Sequence, residues 1–379
     1  MLNYGKQNIN INDLKNISKT LKSNFLTQGP KVEEFENLIN RKFKSKYCSV
    51  VSSGTAALHL SSKILNFKRG DRVVVTPITF VASANSVLYQ NAKPEFVDIN
   101  LENFNLDLNR LETKLKKSKK IRGVIATDYG GNPCDWKELR FLANRYNISL
   151  INDNCHAIGS KLDGDIGYAV KYADIVCHSY HAVKNFTTGE GGAILTNNSS
   201  YSKRAKLLRN HGIESFLTKT NLNPKSMLDL GYNYRLPDIL CSLGISQLSR
   251  LSKFIKKRDV IAKLYTRNFQ KLENIKLQNI NKKSFSSRHL FSVLIDFKKI
   301  KKKRKNLFEY FYKNKIKLQI HYMPIYRHKF YQKKFKIKKN NFPNAEKFYE
   351  QQVSLPIYYD LKISEVNKVI NKIQHFLLK

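Results

Sequence analysis

The sequence predicts an α/β protein, with a mostly parallel sheet covered by helices on both faces and a smaller C-terminal α+β domain. Three observations lead there. From about residue 30 to 250 the chain alternates short apolar or β-branched runs with stretches of helical spacing, the pattern of parallel strands joined by crossover helices. No Pro/Gly/Ser-rich linker and no internal repeat interrupts that alternation. After Pro237 the order changes to a long helical stretch and then a shorter alternation, so a larger domain is expected over 1–250 and a smaller one over 251–379.

Val32, Phe35, Ile39 and Phe43 recur at helical spacing and give the first helix of the larger part. Residues 56–65 give the next, after the turn Ser52-Ser53-Gly54-Thr55. Residues 72–76 and 94–99 are β-branched runs flanking a helix over 82–89, and 121–127 reads as a buried strand. Asp135-Trp136-Lys137-Glu138 has the form of a capping box, opening a helix with Leu139, Leu142 and Tyr146 on one face. Strands follow over 148–151 and 174–178. Past Pro237, one continuous helix is expected from Ile239 through Leu243, Leu248, Leu251 and Ile255 to Leu264. Strands near 289–297 and 317–323 then alternate with helices near 302–315, 345–352 and 364–378.

Composition narrows the function classes. Of 379 residues, 41% are hydrophobic and 11% aromatic, enough to bury a substantial core, which excludes disorder for the bulk of the chain. No apolar run approaches the ~18 residues of a membrane span. The opening MLNYGKQNININDLK lacks the apolar stretch and cleavage site of a signal peptide. Five scattered cysteines (48, 134, 155, 177 and 241) form no CxxC pair, against both a disulfide framework and a zinc site. A reduced, cytoplasmic, globular protein without a metal site is the expectation. The charge is unusual, at 68 Lys+Arg against 29 Asp+Glu, a net +39. Only 298–305 (KKIKKKRK) and 329–339 are dense; elsewhere the lysines are spread among many Asn and Ile, as a biased proteome would spread them. The other reading is a field that attracts an acidic ligand or polymer.

The residues with chemical meaning fall after strands, where α/β sheets bind ligands. Lys184 lies in Ser179-Tyr180-His181-Ala182-Val183-Lys184, followed by Thr187-Thr188-Gly189-Glu190-Gly191-Gly192. Such a lysine reads either as surface decoration or as a partly desolvated amine able to form a Schiff base. Asp153, in Ile151-Asn152-Asp153-Asn154-Cys155-His156, reads alone as a helix cap; paired with Lys184 it suggests a carboxylate facing a pyridinium nitrogen. Ser53-Gly54-Thr55 at a helix N-terminus offers an anion cradle, to which Ser179 adds a hydroxyl. Phe80 follows a strand and reads either as core or as a ring stacked on a flat cofactor.

The segments LTQGPKVEEFE, VSSGTAALHL, TPITFVASANSVLY, DYGGNPCD, DNCHAIGS, SYHAVKNFTTGEGG, LRNHGI, LGYNYRLPDILCSLGISQL and IHYMPIYRHKFYQ, spread over nearly the whole chain, resemble the DegT/DnrJ/EryC1/StrS sugar-nucleotide aminotransferases. The resemblance implies a fold type I enzyme that depends on pyridoxal 5'-phosphate. It implies that Lys184 is the Schiff-base lysine and proton shuttle, Asp153 the pyridinium partner and His156 the neighbour of the phenolic oxygen. Gly54, Thr55 and Ser179 match the phosphate and cofactor loop. Asn233 matches a residue lent by a partner subunit, so the resemblance implies a homodimer with shared sites. Tyr4, the segment Asn24, Phe25, Leu26 and Thr27, and the loop His321, Tyr322, Met323 and Pro324 match sugar-nucleotide contacts. Tyr180 replaces a commoner Phe, Asn152 an acidic residue, and Asn154-Cys155 small residues; none of these removes a group the mechanism needs. A branch with His in place of the lysine deoxygenates its sugar instead, and Lys184 excludes it.

Within the family the resemblance favours amination at C4 of a UDP-linked 4-keto-6-deoxy-N-acetylhexosamine, as in pseudaminic acid biosynthesis, with L-glutamate as donor. A GDP-linked ketosugar, as in perosamine formation, is the alternative. A basic nucleic-acid-binding regulator and a catalytically silent relative are remoter readings. The first would show steeply salt-dependent nucleic-acid binding and no cofactor; the second sits badly with an intact Lys184 and Asp153. No nucleic acid and no membrane is expected as a partner.

Overall fold

The computed structural model describes residues 1–214 and 226–378. The chain enters through α1 (Ile11–Leu21) and α2 (Pro30–Phe43). It continues through β1 (Tyr47–Val51), α3 (Gly54–Ile64), β2 (Arg72–Val75), α4 (Ala82–Leu88), β3 (Lys93–Phe96), α5 (Leu108–Lys117) and β4 (Ile121–Thr127). Then come α6 (Trp136–Tyr146), β5 (Ser149–Asp153), β6 (Lys161–Leu162), α7 (Tyr168–Tyr172), β7 (Ile175–Ser179), β8 (Gly192–Thr196) and α8 (Ser199–Leu208). The second described stretch carries α9 (Asp238–Ser249), α10 (Leu251–Phe269), β9 (Ile275–Leu277), β10 (Ser284–Phe285), β11 (Phe291–Ile295) and α11 (Arg304–Lys313). It ends with α12 (Lys329–Phe335), α13 (Pro343–Gln351), β12 (Gln352–Leu355) and α14 (Ile363–Leu378).

Seven strands form the main sheet in the order β1-β8-β7-β5-β4-β2-β3. The run from β7 to β3 is parallel, and β8 lies antiparallel between β7 and β1. Side chains alternate between two cores. Val74, Val124, Ala126 and Leu150 face Phe35 and Ile39 of α2 and Trp136 and Leu139 of α6. Val73, Val75, Ile125 and Ile151 face Leu58 and Leu60 of α3 and Ala84 and Val87 of α4. Cover on both faces is why these strands read as unbroken apolar runs. The fold class expected from the sequence is the one observed.

A third core gathers Tyr265, Phe269, Val293, Phe311, Val366 and Ile370 around the antiparallel sheet β12-β11-β9. The helix α10 serves two cores, with Leu251, Phe254 and Ile255 in the first and Ile261 to Phe269 in the third. Tyr326, Tyr331, Phe342 and Phe348 return to the second core, beside the large sheet.

Several expectations need correction. The single helix expected from Ile239 to Leu264 is two, α9 and α10, meeting at Arg250 (φ −99°, ψ −2°). The turn is held because the Arg250 guanidinium reaches back to Asn8 and Asp13. No strand forms over 317–323; only Gln319 bridges Ser354, and a cis peptide joins His321 to Tyr322. The helix expected over 345–352 stops at Gln351, because Gln352 starts β12 and its buried amide bonds Ser292 and Ser354. The capping box at Asp135 is half formed: its carboxylate takes the Glu138 N–H, without a reciprocal bond among the described residues. The strands β1 and β8 were not expected, since Cys, Ser and Gly dilute their apolar runs.

Candidate active site

The parallel strands end along one edge of the sheet. Thr127 ends β4, Asp153 ends β5 and Ser179 ends β7, with Asp153 in register with Thr127 and Cys177. Asp153 is buried. Its Oδ2 accepts from Ser83 Oγ (2.7 Å) and lies 3.4 Å from Thr127 Oγ1, while Oδ1 accepts from the Cys155 N–H (3.3 Å). A carboxylate tied on both oxygens has a fixed direction. Behind it Asp128, fully buried, accepts from Cys134 N and Trp136 Nε1 (2.8 Å each), Tyr168 OH (2.7 Å), Asn154 Nδ2 (3.1 Å) and Asn152 Nδ2 (3.3 Å). Both neighbours of Asp153 are thus held by a second carboxylate. Burial raises the Asp128 carboxyl, and these donors pull it back.

Lys184 sits in the excursion between β7 and β8. The excursion is closed by Tyr180 N–H to Gly191 O (2.8 Å) and Thr188 N–H to Tyr180 O (3.0 Å), and the Lys184 N–H donates to His181 O (2.9 Å). The side chain is half-buried. Desolvation lowers its ammonium below the usual lysine range, opposed by the Cys155 thiol and Asp153. Its Nζ has no hydrogen-bond partner among the described residues. Lowering an amine's pKa raises the neutral fraction that can act as a nucleophile or base.

The anion cradle is assembled from two separate segments. Ser53 caps α3 by accepting the Ala56 N–H (3.0 Å), which leaves the first-turn amides of Gly54 and Thr55 to a ligand. A Cβ on Gly54 would stand 2.7 Å from the Ser179 Cβ, so only glycine lets the helix end reach the end of β7. Gly54 and Ser179, far apart in sequence, are brought together, and Thr55 follows Gly54 in the first turn of α3.

Imidazoles and phenols line the opposite side. His156 is buried; Gly130 N–H points at its Nδ1 (3.4 Å), so Nε2 carries the proton and donates to Tyr322 OH (3.0 Å). Burial holds His156 well below the usual histidine range, with the charges of Lys184 and His321 adding to the effect. The His289 ring lies 4.6 Å from His156, and its buried Nδ1 has no partner among the described residues. His321 bonds Ser354 Oγ (2.8 Å), its carbonyl takes the Tyr129 hydroxyl, and burial with Lys184 depresses it to about 3. Tyr4 packs 5.1 Å from His321. Met323 is half-buried and Pro324 buried. Phe80 is 55% exposed with its ring 6.1 Å from Tyr322, which removes the core reading.

Two groups of expected residues are not joined to this cluster within the chain. Asn24 to Thr27 form an exposed turn, anchored where the Asp238 N–H meets Leu26 O and the Asp238 carboxylate takes the Gly29 and Lys31 N–H groups. Asn233 is exposed and its side chain makes no hydrogen bond among the described residues. The next residue, Tyr234, accepts the Ser52 N–H (2.8 Å) beside the cradle. Sequence reasoning missed Ser83, Asp128, Tyr129 and His289. Asp128 had a signal, as a second acid at the end of a strand; the others had none.

A half-buried lysine, a buried carboxylate and a helix N-terminus open to anions, at the carboxyl edge of this sheet, define a pyridoxal-phosphate-dependent transferase of fold type I. The family model for DegT/DnrJ/EryC1/StrS aminotransferases matches residues 7–374. The chain belongs to that family. It is 38% identical, over 97% of its length and 96% of the other protein, to the UDP-4-amino-4,6-dideoxy-N-acetyl-beta-L-altrosamine transaminase of Campylobacter jejuni. The structure of PseC from Helicobacter pylori, an aminotransferase of pseudaminic acid biosynthesis, superposes with a TM-score of 0.90 at 29% identity, covering 99% of each chain. The PLP form of a putative sugar aminotransferase from Streptococcus pneumoniae gives 0.90 at 26%, covering 99% of this chain and 98% of that one. The residues present fit the cofactor: a cradle that a Cβ would fill, a lysine Nζ without a partner among the described residues, and a carboxylate fixed at the strand end.

Proposed function

We propose that this aminotransferase moves the amino group of L-glutamate to C4 of a UDP-linked 4-keto-6-deoxy-N-acetylhexosamine, as in pseudaminic acid biosynthesis. The observation that carries the reading is a half-buried Lys184 within reach of the Asp153 charge, in a chain 38% identical to a transaminase named for that type of sugar.

Lys184 would hold the aldehyde carbon of pyridoxal phosphate, Asp153 its ring nitrogen, and His156 its phenolic oxygen. Phe80 would cover its ring, and Gly54, Thr55 and Ser179 would hold its phosphate. When bound, the cofactor supplies the electron sink that makes the donor's α-proton acidic. Lys184 Nζ, desolvated, takes that proton in the glutamate half of the reaction and returns one in the sugar half. Asp153, fixed by Ser83 and the Cys155 amide, keeps a positive charge favourable at the ring nitrogen. Tyr4, Asn24 to Thr27, Tyr322, Met323 and the His321 and Pro324 backbone would bind the sugar nucleotide.

The working unit in this reading is a cytoplasmic homodimer. Support comes from the exposed apolar side chains Ile9, Ile11, Leu14, Phe25 and Leu26 near the N-terminus and Met227, Leu228 and Leu230 before Asn233. Asn233 would serve the phosphate of the partner's site. The division at residue 250 would separate the cofactor domain from a smaller one, and the +39 charge would speed capture of the UDP diphosphate, less so in salt.

The test is a panel. Enzyme loaded with pyridoxamine phosphate is offered UDP-, GDP- and dTDP-linked 4-ketosugars, with the optical change followed and products read by NMR. An amine at C4 of the UDP-linked N-acetyl sugar is expected. Equal or better kcat/KM with GDP-4-keto-6-deoxymannose overturns the sugar assignment.

A further inference from the structure

The carboxyl end of β5 is held from both faces of the sheet. Side chains alternate there. Asp153 meets Ser83 of α4 on one face, while Asn152 and Asn154 meet Asp128 on the other, where Asn154 also reaches Tyr168 of α7. The same division runs through the end of β4. Thr127 lies 3.4 Å from Asp153 on the first face, and the next residue, Asp128, takes the indole of Trp136 in α6 on the second.

Asp128 is fully buried and has no cation partner among the described residues; five neutral donors hold it. Oδ1 accepts from the Cys134 N–H and the Trp136 indole, and Oδ2 from the Tyr168 hydroxyl and both asparagine amides. Only a group that accepts on both atoms can take all five, since an amide or hydroxyl there would turn a donor toward donors. A buried carboxylate without a cation is costly. Asn152 adds to that cost: it is fully buried, its amide is committed to Asp128, and its Oδ1 has no partner among the described residues. Stability therefore does not account for the pair. What the arrangement achieves is direction. The residues before and after Asp153 are drawn to one point behind the sheet, so the backbone that carries Asp153 cannot swing. A group that must meet a ligand atom within about 0.5 Å needs that kind of support.

We propose that Asp128 is a positioning residue for the cofactor's ring nitrogen: through Asn152 and Asn154 it fixes the direction in which Asp153 presents its carboxylate. The assignment rests on the reading of Asp153 given above and identifies what aims it.

The test needs no turnover. Apoenzyme is titrated with pyridoxal phosphate and with its deaza analogue, in which CH replaces the ring nitrogen. The ratio of the two dissociation constants isolates the bond to Asp153. Wild type should prefer pyridoxal phosphate by about 10- to 150-fold, the range of one charge-assisted hydrogen bond. Asp128→Asn should cut that preference by about fivefold or more. The double variant Asn152→Ala with Asn154→Ala keeps Asp128 but severs it from β5, and should do the same; it decides if Asp128→Asn does not fold. Trp136→Phe takes a donor from Asp128 without touching either asparagine, and should keep the wild-type ratio whatever it does to stability. A carboxylate that only holds the fold together would weaken both ligands equally. A wild-type ratio in Asp128→Asn or in the double variant therefore overturns the proposal, as does an equal fall in Trp136→Phe. Failure of the Asp153 reading is distinct: wild-type enzyme would itself bind both ligands alike, Asp153→Asn would leave the ratio unchanged, and the role of Asp128 would fall with it.

Discussion

Asp13→Ala should release the first helix. Only Asp13 and Thr20 of α1 are buried, while Ile11, Leu14 and Leu21 are exposed, so apolar burial within the chain does little to dock this helix. Asp13 docks it instead, accepting from Ser246 Oγ (2.6 Å) and Gln247 Nε2 (2.8 Å) and pairing with Arg250, while its bond from the Asn10 N–H (2.9 Å) closes the helix's own cap. The two bonds from neutral donors on α9 and the one from Arg250 all end on a carboxylate and contribute about 1.5–3 kcal/mol each. These terms are not additive, and breaking a buried pair costs about 3–5 kcal/mol, because the other charge is left alone. That free energy is a factor of roughly 10²–10⁴ in the opening equilibrium of α1. Hydrogen exchange should show protection over residues 11–21 falling by that factor, with β4 and β5 unchanged. The KM for the sugar nucleotide should rise, since α1 leads into the turn Asn24 to Thr27. Protection over α1 within about threefold of wild type would refute the reasoning and assign the docking to apolar contacts.

Asp153→Asn keeps the shape and removes the charge, so kcat should fall by about two orders of magnitude or more; near-wild-type release of 2-oxoglutarate would make Asp153 a cap only. Lys184→Ala and Asn233→Ala chains, each weak alone, should regain activity above their sum after subunit exchange. With exchange verified, no recovery would place Asn233 in its own chain's turn. Acid should destabilise the fold through its neutral histidines. Burial holds His178 and His321 near 3, against about 6.5 when unfolded, so the unfolded chain gains protons first as pH falls. Each then removes about 1.4 kcal/mol of stability per pH unit between about 6.5 and 3. Denaturant midpoints should show this slope, flattened in His178→Gln; an unchanged slope counts against burial as its cause.

What was legible in the sequence was local. Alternating apolar runs carried the parallel sheet because strands covered on both faces need apolar side chains at every position. Lys184, Asp153 and Gly54 were legible because each sits where a strand ends and the chain turns. The helix break at Arg250 was not, since its cause is Asp13, at the far end of the chain. The stretch 317–323 has apolar residues enough for a strand, yet His321 and Gln319 spend their bonds on Gln352 and Ser354 singly. Ser83 and His289 join the cluster only because remote segments bring them against Asp153 and His156.

The placement of β8 has a consequence for how the chain is made. The strand β1 leaves the ribosome early, but among the described residues its one neighbour in the sheet is β8, and the register Val51 to Gly192 cannot form until both exist. At about 5–20 residues per second, β1 waits on the order of ten seconds for that partner. The strands β2 to β5 need no such delay, since each pairs with one made shortly before or after it. Ser179, which stands beside Gly54, ends β7, and β7 is the strand that β8 joins to β1. A nascent chain that ends before Gly192 would therefore hold the strands β2 to β5 and β7 while β1 still lacked its partner in the sheet.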